Sequence, residues 1–284
     1  MLFQNQYYYF VAGLPDFSFD STRLPFTVAE FRGMMDEVLK RSDRNLFHKY
    51  FLKYDNENLL KLLKDKNESI NPIGELSRAE ILEVVTKVKE DLPVKDIKVP
   101  PYFETYIKKW LSEENPNEGG RIWEDMLSSL YMDYGLEVKN SLISGWFELN
   151  LNIGNVLTAI YARKYGIEVS QFIVGNNNIA KLIKEHTTLR DFGLSHELEY
   201  YDTLLRIAED SDIYDRERKL DKLRWDWLDE HTVFDYFNID YLFAYLCKLQ
   251  ILERWVNLNA EEGERVFREM ISNLKNETKI PEDL

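Results

Sequence analysis

The chain has 284 residues, 44% of them apolar and 14% aromatic, enough to bury a sizeable core as one large domain or two to three small ones. A formal net charge of −14 argues against a nucleic-acid backbone as the main partner and against adsorption to anionic lipid. The single cysteine, Cys247, excludes an intrachain disulfide framework and reads as a small buried hydrophobe in a cytosolic protein.

Only 12 glycines and 8 prolines punctuate the chain, and runs of alternating β-branched residues are few, which points to an all-α fold. The start, MLFQNQYYYFVAGLP, lacks the basic and apolar regions of a signal peptide, and no apolar run approaches the roughly 20 residues of a membrane helix. Any membrane association is therefore expected through a partner.

In chain order, residues 7–14 fit either a short strand or a buried helical turn. Thr27 and Glu30 form a capping-box pattern ahead of a helix over about 28–40. A second helix is expected over about 44–66, capped by Asp43 and breaking near Asp55-Asn56. Ser77 and Glu80 repeat the capping box before a helix to about 90. The proline-rich segment 91–101 is the best candidate linker, and helix resumes over about 102–112. After the polar break SEENPNEGG, helix runs with interruptions from 121 to 165, and VGNNN at 174–178 marks a turn. Thr188 and Asp191 form a weaker helix start. A charged helical stretch spans 195–230, its charges most simply a solvated face, and helices over about 239–255 and 260–274 close the chain before a polar tail.

One pattern recurs three times. In WFELNLNIGNVLTAIYARKYG, Asn152 follows an aromatic cluster and precedes Ile153, Val156, Leu157, Ile160 and Tyr161, one apolar helical face. The spacing predicts one helix ending and another starting at Asn152. Asp55, behind Phe51, and Asn238, behind Phe234, occupy similar places ahead of Leu59-Leu62-Leu63 and Ile239-Leu242-Phe243-Leu246. The expectation is three related helical units in tandem, 1–95, 96–180 and 181–284, packed as one pseudo-threefold body.

No motif assigns chemistry. Phosphate-loop, dinucleotide, nucleophile-elbow and zinc-protease patterns are all missing. His48, His186, His196 and His231 are scattered, and none completes a di-iron motif. In RWDWLDEH, at 224–231, Trp225 and Leu228 share one helical face and Trp227 lies on another, as for core or partner contact. No catalytic, cofactor-binding or metal-binding residue is expected, and the protein reads as a non-enzyme. An enzyme built from scattered carboxylates and aromatics, and a helical scaffold or adaptor, are the competing readings.

The LPFTVAEF segment, the helix NIGNVLTAIYARKYGIEVSQF and the threefold repetition together resemble the C-type central-stalk component of V/A-type ATPases, whose eukaryotic counterpart is the d-type component. The YYYFVAGLPD start followed by LPFTVAEF resembles, more narrowly, an uncharacterised bacterial family regarded as a divergent version of that component. The resemblance implies a funnel-like body on the cytoplasmic side of the membrane, joining the central shaft subunits to the proteolipid ring without an active site or cofactor. It transfers no contact residues: Arg163-Lys164 has only Lys64, Lys66 and Lys248 as loose counterparts.

Overall fold

A computed structural model of the chain describes residues 7–94, 99–112 and 123–258. These residues form an all-α fold of twelve helices, with no strand among them. The expected helix over 260–274, the tail and parts of both polar breaks lie outside the described residues.

The chain divides into two compact units, one taking Met1–Leu39 with Trp225–Leu284 and the other Lys40–Arg224. This grouping by compactness differs in kind from the three tandem segments, which are related by sequence pattern.

In the first unit, α1 (Tyr8–Ala12) settles the ambiguous start as a short helix, tied by the Tyr7 amide donating to the Phe237 carbonyl at 2.6 Å. Helix α2 (Val28–Val38) opens with a complete capping box, in which Thr27 accepts from the Glu30 amide and Glu30 accepts from the Thr27 amide. Its apolar face, Val28, Phe31 and Met35, is fully buried and packs on α12 (Ile239–Asn257). Phe31 lies 5.0 Å from the Tyr245 ring, and the Tyr245 hydroxyl donates to the Pro15 carbonyl. Phe17 and Phe19 meet Trp225 edge-on, so the polar loop before α2 is anchored by its aromatics. Cys247 is buried, as expected.

The second unit is built on two 24-residue helices, α3 (Arg41–Lys64) and α7 (Ser141–Lys164). Between them lie α4 (Arg78–Lys89), α5 (Pro101–Leu111) and α6 (Trp123–Leu136). Helix α6 packs on both long helices: the Tyr131 ring meets Phe147 edge-on at 5.0 Å, and its hydroxyl donates to the Tyr50 carbonyl at 2.7 Å. The short α8 (Val169–Phe172), α9 (Asn178–Glu185) and α10 (Tyr201–Ala208) surround α7. Helix α11 (Ile213–His231) contributes its first part to this unit and, from Trp225 on, its last part to the other.

Several expectations are corrected. Lys40, not Asp43, is the N-cap of α3; Asp43 sits buried in the first turn. Neither Asp55-Asn56 nor Asn152 breaks its helix: Asp55 bonds the connector before α4, Asn56 the Tyr102 hydroxyl and Asn152 the Asn177 cap, so their side chains bond sideways and leave the helical ladder intact. No helix starts at Thr188. Phe192 and Gly193 both have left-handed backbone (φ 53° and 73°), and Asp191 accepts from the Gly193 amide and the Ser195 hydroxyl. The Arg163 guanidinium, stacked on the Phe192 ring, donates to the Thr187 and Arg190 carbonyls and fixes this turn.

Candidate functional site

Three of the four histidines have defined neighbours. His48 faces Glu75 at 3.5 Å, His186 closes α9 against the Leu182 carbonyl, and His231 stacks on Trp227. Among the described residues no group of three or more His, Cys, Asp or Glu side chains is arranged to hold a metal ion. No described helix is long and apolar enough to cross a membrane.

The most distinctive polar arrangement is a pair of buried Asx clusters, one in the middle of each long helix. In α3, Asn58 is fully buried and forms a two-bond clasp on the connector that follows its helix. Its Nδ2 donates to the Asn71 carbonyl at 3.0 Å, and its Oδ1 accepts from the Asn71 amide at 2.7 Å. One turn earlier, the buried Asp55 accepts from the amides of Glu75 and Leu76 at 2.9 and 2.8 Å, just before the Ser77 N-cap of α4. A Cβ on Gly74 would lie 2.8 Å from both Asx side chains, so the connector passes where a bare backbone is required. Asn56 accepts from the buried Tyr102 hydroxyl at 2.9 Å. Burial raises that phenol well above its ordinary pKa and keeps it a donor.

Helix α7 repeats the device. Asn155, 1% exposed, donates to the Val174 carbonyl at 2.8 Å and accepts from the Val174 amide at 2.9 Å. Asn152, one turn earlier, accepts from Asn177, the N-cap of α9, at 2.7 Å. Burial pushes the pKa of the neighbouring Tyr200 up to about 12. In both places an amide side chain reproduces the paired donor and acceptor of a backbone bridge, and the preceding Asx fixes the start of the next capped helix. The groups so satisfied are part-buried backbone N–H and C=O groups, which are costly to leave unpaired.

The third sequence copy is different. Asn238 is the N-cap of α12, its Oδ1 accepting from the Tyr241 amide at 3.0 Å. The equivalence expected of Asp55, Asn152 and Asn238 therefore holds for the first two only in this respect. Asn58 and Asn155 were not singled out by sequence reasoning, although each follows its Asx partner by three residues, the spacing that places both on one helical face. The aromatics of RWDWLDEH behave as expected, with Trp225 and Leu228 buried and Trp227 stacked on His231 at the surface side.

These clusters are built to hold backbone. The bonds described in them all run within the chain, from Asx side chains to connector backbone, to Tyr102 or to the Asn177 cap. Neither a curated protein nor a solved structure matches the chain. A family model does match, over residues 4–278: by this extent the chain belongs to the family described as protein of unknown function (DUF2764).

Proposed function

We propose that this protein is a non-catalytic central-stalk subunit of a V/A-type rotary ATPase, coupling the shaft to the membrane proteolipid ring. The observation that carries the reading is the twice-used unit of a 24-residue helix, an Asx clasp and a following capped helix. It supports the helical repetition on which the resemblance to the C-type component rests. A part that transmits torque must resist shear between its helices. Bidentate bonds from buried side chains resist shear better than apolar packing alone, because hydrogen bonds are directional. Its contacts with shaft and ring would each bury on the order of 1,200–2,000 Å². In this reading the membrane is reached through partners, at its cytoplasmic face, and the protein itself carries out no chemistry.

Deletion of the gene in the native host tests the proposal. The expected result is a rotary ATPase whose ring separates from its soluble part, with ATP-driven ion pumping lost. Normal assembly and pumping would overturn it and leave the helical-scaffold reading in its place.

A further inference from the structure

Two short segments of the first unit meet at its surface. The Tyr7 amide donates to the Phe237 carbonyl, and the Tyr8 and Phe237 rings lie 4.7 Å apart. Around this junction, large apolar side chains face solvent: Tyr9 is 98% exposed, Phe234 90%, Tyr236 60% and Tyr8 55%, with Val233 beside them. Exposed aromatics gathered at one place mark interaction surfaces, because leaving them in water is unfavourable and rings are the usual anchors of interfaces.

Charge decides what this patch receives. The segments that build and flank it, 7–22 and 226–247, hold seven carboxylates and no lysine or arginine. Of the cations at the borders of these segments, Arg224 is paired with Asp221 and Lys248 with Asp229, which leaves Arg23 as one basic group against the remaining carboxylates. Such a field repels anionic lipid headgroups and opposes a second copy of the same surface. It attracts cations, and the ring faces add cation–π sites for lysine and arginine.

We infer that the aromatic patch of Tyr8, Tyr9, Phe234 and Tyr236 is a docking surface for a basic amphipathic helix of a partner protein. The apolar face of that helix covers the rings, and its lysines or arginines meet the surrounding carboxylates. The inference holds whether or not the rotary-ATPase reading does.

The test uses the full chain and a labelled synthetic amphipathic helix of leucine and lysine. The control probe is the same peptide with glutamate in place of lysine, and binding is read by fluorescence anisotropy at physiological salt. The wild type should bind the lysine peptide with micromolar affinity and ignore the glutamate peptide. Tyr9→Ser with Phe234→Ser should weaken binding at least tenfold while the thermal melt is unchanged, since both side chains are exposed. Tyr165→Ser with Ile167→Ser, on exposed apolar residues of the other unit, should leave affinity within about twofold. Three results would overturn the inference: equal binding by the Tyr9/Phe234 variant, self-association that this variant abolishes, or patch-dependent partition onto phosphatidylcholine vesicles without peptide binding.

Discussion

Replacing Asn155 with alanine removes both bonds of the α7 clasp, the one to the Val174 carbonyl and the one from the Val174 amide. Each is worth about 0.5–1.5 kcal/mol net, and leaving part-buried backbone groups unpaired adds a further penalty of about 1 kcal/mol or more. Asn155→Ala should therefore destabilise the second unit by roughly 2–4 kcal/mol. Asn155→Asp separates the two bonds. Its carboxylate still accepts from the Val174 amide but faces the Val174 carbonyl without a proton to give. The variant should be weaker than wild type at pH 7 and recover on acidification, as protonation restores the donor. Urea unfolding followed by tryptophan fluorescence gives the stability, and native-state hydrogen exchange at the Val174 amide gives the local effect. A loss under about 0.5 kcal/mol for Asn155→Ala, with Val174 still protected, would refute the clasp as a structural element.

Gly135→Ala in α6 would place its Cβ 2.1 Å from the Phe147 ring, so it should cost about 1–3 kcal/mol, partly recovered by Phe147→Leu in a double-mutant cycle. Two helix ends give opposite signs: Asp91 closes α4 with φ 54° while the Leu92 amide donates to the Lys87 carbonyl, and Gly166 closes α7 in the same way with φ 68°. Asp91→Gly should gain up to about 1 kcal/mol, and Gly166→Ala, with open space around its Cβ, should lose about 1 kcal/mol in thermal melts. Hydrogen bonds from the Thr27 and Ser77 amides hold Glu30 and Glu80 below the ordinary glutamate pKa. A carboxylate with a depressed folded pKa contributes stability above its unfolded value and loses it as pH falls through the folded one. The Tm should thus fall as pH drops below the ordinary glutamate range, and fall less in a Glu30→Gln, Glu80→Gln variant.

The all-α class was legible because scarce glycine and proline, the two capping boxes and the 3.6-residue periodicity all agree. Helix α2 and helix α4 begin where Thr27 and Ser77 predict, and those caps form in full. What sequence pattern misjudged was the role of Asx residues. Asp and Asn usually compete with the helical backbone, so Asp55 and Asn152 suggested breaks. Inside α3 and α7 they instead have loop backbone to bond, which only the tertiary fold supplies. The same limit applies at Thr188, where Arg163, distant in sequence, holds the carbonyls of a turn that local pattern presented as a helix start. The aromatic patch was equally hidden. Phe234 read as the leading aromatic of a repeat, and only the pairing of Tyr7 with Phe237 brings its segment against the start of the chain.

Isolation of the native protein under mild conditions, with its companions identified by mass, tests the central claim most directly. The account predicts that shaft subunits and the proteolipid ring of a V/A-type ATPase come with it in fixed proportion. Recovery of the protein with other companions, while the ATPase is isolated intact without it, would contradict the account.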